Sequence, residues 1–329
     1  MNKSCPWFVA MGLFALTPIS AAVSIGDLYS VTVPVAGAGD AAQQAAFREA
    51  MRDILVRATG RSDAAGLEGL APLVAQAGRH VVSYRRATGG HLAVSFDGPA
   101  IENSIDAAGL PFWGPERPLT LVWLVLDRGS GRHTLIGAAS SGDEKLRVER
   151  AAAHRGVPLV WPGAGDDLDR SIQRAWSGDH APLIAAATRY GADGVLIGRA
   201  PVTAGGQQAV EWTFSATGIA AQSTGELESG PDLAADRFAA AYASRGAGER
   251  SEQVVTVTGV TSLESYTAAM RVLSRLPAVR TVAVDEVTPQ AVSFILQVRG
   301  DPAALLRAIE HDGRLLAVDA PRMIFSLAP

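Results

Sequence analysis

The stretch from Ala181 to Val202, APLIAAATRYGADGVLIGRAPV, constrains this chain more than any other. Leu183, Ala186, Ala187 and Tyr190 recur at helical spacing and predict a helix. Gly191 supplies its stop, because glycine takes the left-handed conformation at little cost, and Asp193-Gly194 turns the chain. Val195–Ile197 is then apolar at consecutive positions. A strand that is apolar on both faces belongs in a sheet covered on both sides by helices. Leu119–Leu126 has the same character, and Val157–Trp161 is a third strand of the set. Strand and helix alternate from Leu119 to Val202, the pattern of a parallel sheet with covering helices.

Around this centre the chain divides into an α+β / α/β arrangement of three small αβ modules behind a signal peptide. The signal peptide is residues 1–22, and the modules are 23–117, 118–245 and 250–329. In the first, Leu28–Val35 alternates as a strand, and Ala41–Thr59 lays Phe47, Ala50, Met51, Ile54 and Leu55 on one helical stripe. Leu67–Ala77 is expected to be a second helix, His80–Arg86 and His91–Asp97 a hairpin, and Pro99–Ala108 a helix with proline near its start. Proline-rich GLPFWGPERP (109–118) marks the first boundary. Gly129–Gly142 reads as a polar loop. Glu144–Ala153, Asp166–Trp176 and Leu233–Tyr242 are the remaining helices of the middle module, with Gln207–Ala216 and Ala220–Leu227 as antiparallel strands. The polar linker Ser244–Glu252 marks the second boundary. The last module reads strand, helix, strand, strand, helix, strand, a ferredoxin-like order. Its final strand is either Arg314–Val318 or Met323–Leu327, and Asp301 is expected to cap its second helix.

The first residues point to export. Lys3 precedes the apolar run Trp7–Leu16, Thr17-Pro18 breaks the run, and Ser20-Ala21-Ala22 offers small residues for cleavage after Ala22. The run is shorter than the about 20 residues a membrane-spanning helix needs. Cys5, the only cysteine, precedes the run, so it is not placed as a lipoprotein cysteine. The expected location is the periplasm, with no transmembrane segment after signal removal and with stability supplied by ordinary cores. The net charge of −4 argues against nucleic acid, which wants a basic face.

Chemical signatures are few. Gly37-Ala38-Gly39-Asp40-Ala41-Ala42 follows a strand and opens a helix, but no second strand brings an acid to a ribose, so it reads as a turn. His80, His91, His133, His154, His180 and His311 stand apart from one another, with no metal-ligand spacing. Asp166, Asp167 and Asp169 suit a helix start, where the dipole favours acids. There is no Gly-x-Ser-x-Gly elbow. No catalytic residue, metal ligand or cofactor site is assigned. One constellation is geometric: open α/β sheets bind ligands beyond the carboxyl ends of their strands. Parallel strands at 119–126, 157–161 and 195–197 would place Asp127, Trp161, Gly198 and Arg199 along one edge. An Arg and an Asp beside an aromatic plane suit a polar ligand or a peptide terminus; the plainer reading is an ion pair beside a core tryptophan.

Several segments together resemble a known family: VTVPV with AAFREAMRDILVRATGR, then LAVSFDGPAIENSIDAAGLPFWGPERPLTLVWLVLD, then RGVPLVWP with RYGADGVLIGRA. They are similar to domain-of-unknown-function family 2066, exported proteins of Gram-negative bacteria with no assigned activity. The middle module also resembles, in strand and helix order, the αβ domain of periplasmic envelope-assembly proteins, among them the amino-terminal domain of TolB, the curli secretion lipoprotein and a flagellar assembly protein. The expectation is a non-catalytic binding or scaffold protein of the cell envelope, with unidentified envelope proteins as partners. The alternatives are a periplasmic hydrolase or transferase, or a small-ligand sensor, using the edge at Asp127, Trp161, Gly198 and Arg199.

Overall fold

The computed structural model describes residues 23–24, 27–163, 165–201, 209–245, 251–276, 278–299 and 302–328. The export stretch 1–22, Ala164 of the Gly163–Asp166 turn, residues 246–250 of the linker and the Asp301 cap lie outside the described residues. Among the described residues the fold is mixed α and β, with larger sheets of three, six and five strands.

The first sheet is formed by β1 (Ser30–Pro34), β2 (Val81–Ala87) and β3 (His91–Phe96), antiparallel in the order β1-β3-β2. Helix α1 (Asp40–Thr59) covers one face, and its Phe47, Met51, Ile54 and Leu55 join Val31, Val33, Leu92 and Val94 in one core. Gly60, in the left-handed conformation at φ 70°, ends α1. The expected helix over 67–77 breaks into 3-10 turns around a short helix at Ala71–Ala75. Pro72 begins that helix, and Gly69 lies so close to Ala108 that a Cβ there would sit 2.9 Å from the alanine methyl. Ala108 follows directly on α2 (Gly98–Ala107), whose N-cap Asp97 accepts from the Ala100 N–H.

The middle sheet contains β4 (Thr120–Asp127), β5 (His133–Ile136), β6 (Leu159–Val160), β7 (Gly194–Ala200), β8 (Val210–Ala216) and β9 (Ile219–Gly225). Its order is β9-β8-β7-β4-β5, with β6 also beside β4. β4, β6 and β7 run parallel; β5 pairs antiparallel with β4, β8 with β7, and β9 with β8. β5 corrects the expectation of a loop over 129–142: a short alternating HTLI finds unpaired backbone beside the second half of β4. Both faces are covered. Leu196, Val122, Leu124 and Trp212 pack with α3 (Asp143–Arg155) and α5 (Ser229–Tyr242). Val195, Ile197, Leu121 and Trp123 pack with α4 (Leu168–Ser177) and the helical residues near Leu183. The helix expected before Gly191 is two short pieces, Ala181–Ala185 and Ala187–Tyr190.

The last sheet is formed by β10 (Ser251–Thr258), β11 (Val279–Val287), β12 (Ala291–Val298), β13 (Leu315–Asp319) and β14 (Ile324–Leu327), in the order β11-β12-β10-β14-β13. α6 (Leu263–Arg275) and α7 (Pro302–Asp312) contribute Val272, Leu273, Leu305 and Ile309 to its core. The elements follow the expected chain order, but the sheet has five strands. Both alternatives for the final strand form, and β14 enters between β10 and β13, parallel to the first and antiparallel to the second.

Three fully or almost fully buried arginines join distant parts of the chain. Arg155 donates to Asp232, Asp236 and the Gly60 carbonyl. Arg299 donates to Glu102 and Asp106 and lies over the Phe112 ring. Arg117 donates to the carbonyls of Arg57 and Trp113 and lies 3.6 Å over the Trp113 ring.

Candidate functional site

The parallel register of β4 and β7 pairs Gly198 with Leu124, Arg199 with Val125 and Ala200 with Leu126. The carboxyl ends of β4, β6 and β7 therefore point the same way, and Asp127, Gly198 and Arg199 lie at or just before the ends of β4 and β7; Trp161, expected on the same edge, instead follows β6, which pairs only with Thr120 and Leu121, and so falls near the start of β4. Alternation along a strand then separates them. Gly198 shares its face with Leu196 and Trp212, and Trp161 packs in the same core. Arg199 shares its face with Val195 and Ile197 on the other side of the sheet.

Each of these residues has its own surroundings. Arg199 forms a cross-strand ion pair with Glu211, its register partner on β8, at 2.6 Å, and donates 3.1 Å to the Trp176 carbonyl. The Trp176 ring stacks on His133 at 3.8 Å between centroids. The Asp127 carboxylate accepts from the Gly129 N–H at 2.7 Å, as an acid holding the start of a tight turn. Trp161 donates to Glu149 at 3.0 Å, with the Lys145 ammonium 5.7 Å from its ring centroid. Gly198 makes room: a Cβ there would lie 2.5 Å from the Trp212 ring. Glu211, Trp176 and His133 complete the Arg199 side of the edge and are missing from the sequence reading. The signal for Glu211 and His133 is the pairing register, opposite Arg199 and Asp127, which the intervening chain conceals; Trp176 comes from α4 and has no such signal. Residues 202–208, which follow this edge directly, lie outside the described residues.

The acid cluster at 166–169 is structural. Asp167 caps α4 by accepting from the Arg170 N–H, and Asp166, with its side chain 2 % exposed, accepts from Tyr190, Arg189 and the Gly163 N–H. Burial and this carboxylate raise the Tyr190 phenol above its ordinary range. Among the described residues no three His, Cys, Asp or Glu side chains are grouped to hold a metal ion, and no helix is long and apolar enough to cross a membrane.

The strongest electrostatic perturbations lie at the joins. Burial, reinforced by the neighbouring Arg57 charge, pushes the Arg117 guanidinium well below its ordinary range. Burial also pushes Arg57 down, against the pull of Asp53. Burial, then the Glu102 carboxylate, raises the Tyr29 phenol.

Fold and site together define a multi-sheet αβ protein whose joins are made by buried arginines. Residues 22–114 match a family described as Domain of unknown function (DUF8605). This corrects the resemblance to family 2066: the model that matches the strand, helix and hairpin segments of the first module is a different one, and nothing supports the likeness to TolB or curli secretion proteins. No curated protein and no solved structure matches the chain.

Proposed function

We propose that this chain is an exported binding or scaffold protein of the bacterial cell envelope, working in the periplasm through packed surfaces rather than a reactive side chain. The observation that carries this reading is the engagement of the sheet edge. Arg199, Trp161 and Gly198 are tied respectively to Glu211, Glu149 and Trp212 on different faces. The edge strands of the outer sheets instead offer side chains to solvent. Val82 and Tyr84 on β2, Val284 and Val287 on β11, and Leu316 and Val318 on β13 are all exposed. An exposed edge with β-branched residues suits an added strand from a partner, main-chain bonds giving affinity and alternate side chains specificity.

The test is photo-crosslinking in cells with a reactive amino acid at Val287 or Val318, and at exposed Leu263 on α6 as control. The reading expects the chain in the periplasmic fraction and a discrete crosslinked product from the edge positions alone. Retention in the cytosol, or no product from either edge, would overturn it.

A further inference from the structure

Of the three buried arginines, Arg155 and Arg299 each meet two carboxylates, whereas Arg117 meets none among the described residues. Its side chain is closed to solvent, its Nη2 donates to two carbonyls, and its Nε and Nη1 have no hydrogen-bond partner among the described residues. Arg57 lies beside it. One Arg57 Nη donates to the Ser30 carbonyl at 3.2 Å, its Nε is buried and unpartnered, and it makes no ion pair among the described residues. Asp53, one turn earlier on α1, pulls on Arg57 but leaves Arg117 without a counter-charge among the described residues, and a buried cation so placed is costly.

A cavity of about 360 Å³ opens at this point, lined by Arg57, Gly156, Val157, Pro158, Asp27 and Glu149 among others. Gly156 is the thin part of its wall. It ends α3 at φ 69°, and a Cβ there would lie 3.5 Å from Arg57 Cγ and 3.6 Å from the unpartnered Arg117 Nη1. Arg117 itself is fully buried and does not line the cavity; Gly156 is the lining residue whose Cβ would come against its Nη1. Two guanidinium groups with spare N–H donors in a desolvated site match a planar or tetrahedral oxyanion, which accepts several such bonds at once.

We propose that Arg57 and Arg117 form a binding site for a small oxyanion, a carboxylate or phosphate group, that enters through the cavity at Gly156. This goes beyond the envelope-partner reading and does not rest on it. The anion supplies the counter-charge that Arg155 and Arg299 obtain from the chain itself.

Thermal unfolding of the full chain with inorganic phosphate or acetate, each against sodium chloride at equal ionic strength, tests the site. The proposal expects a saturable rise in Tm of about 2–4 °C with at least one oxyanion, and the responding anion distinguishes phosphate from carboxylate. The rise disappears in Arg57→Gln, whose side chain is partly exposed and tolerates exchange, and in Arg117→Met. Titration of the arginine Nε–H resonances of the unmodified protein gives an independent readout, with two of them moving together. An equal response to chloride, an undiminished response in Arg57→Gln, or Nε–H signals that stay in place would each overturn the proposal.

Discussion

Arg299 and Asp106, 193 residues apart in sequence, meet at 3.2 Å with side chains 2 % and 8 % exposed. The pair fastens β12 and its sheet to α2 of the first module, and Glu102 and Arg280 extend it. Removing one member of a buried pair strands the others without compensation. Arg299→Met is expected to cost about 3–5 kcal/mol, read from the urea midpoint. Adding Asp106→Asn to Arg299→Met is expected to cost less than the sum of the single changes. Simple additivity would mean that the pair carries no coupling.

Arg155 differs because its acids face solvent. Its own side chain is 2 % exposed, whereas Asp232 and Asp236 are 50 % and 61 % exposed. Neutralising either acid leaves the other in place, so Asp232→Asn and Asp236→Asn are each expected to cost about 1 kcal/mol or less. Together they leave a buried guanidinium with only the Gly60 carbonyl, 3.0 Å away, and uncharged amides. The double variant is expected to lose about 3–5 kcal/mol, more than the two single losses combined. Denaturant unfolding of the four proteins measures it.

Trp212 is held between two glycines on different elements. A Cβ on Gly198 of β7 or on Gly230 of α5 would each lie 2.5 Å from its indole. The ring is 1 % exposed, and its Nε1–H reaches the Glu226 carbonyl at 3.2 Å. There is no slack on either side, so Gly198→Ala and Gly230→Ala are each expected to cost about 1–3 kcal/mol through overpacking. Trp212→Phe, which shortens the ring, relieves part of the loss when combined with either. Near-ultraviolet circular dichroism reports the displaced indole. An unchanged spectrum and midpoint in Gly198→Ala would show that the clamp has room.

β4 and β7 beside this clamp are legible in the sequence because both are apolar on both faces, which only a doubly covered sheet accommodates. Their parallel register follows from the helices between them. The work of Gly198 is not legible in the same way. A glycine among large apolar residues marks a close approach, but the approaching residue, Trp212, is identified only once β8 is paired. Arg199 is similar: its partner Glu211 is fixed by register across 202–208, not by local pattern. In the last sheet both Leu315–Asp319 and Ile324–Leu327 carry strand character, and both place a residue in the core, Leu315 and Phe325, so local pattern does not tell which of them pairs with β10. The arginine joins are least legible of all. A lone arginine in sequence gives no hint that its carboxylates lie almost two hundred residues away.

Tyr29 makes the network around Arg299 sensitive to alkali. Its hydroxyl donates to Glu102, the same carboxylate that Arg299 holds. Burial first, and the Glu102 charge second, raise this phenol above its ordinary value of 10.0. Because the folded value is raised, the stabilisation is fully present below pH 10.0 and is lost as pH climbs above it, where the unfolded phenol ionises and the folded one does not. The expected slope from this group is about 1.4 kcal/mol per pH unit. Tyr29→Phe removes the slope and also the hydrogen bond, so the variant is less stable at neutral pH by about 0.5–1.5 kcal/mol. The two stability curves therefore converge above pH 10. Urea midpoints between pH 8 and about 11.5, with tyrosinate absorbance followed at 295 nm, measure both effects. Parallel curves would place the alkaline transition on other groups.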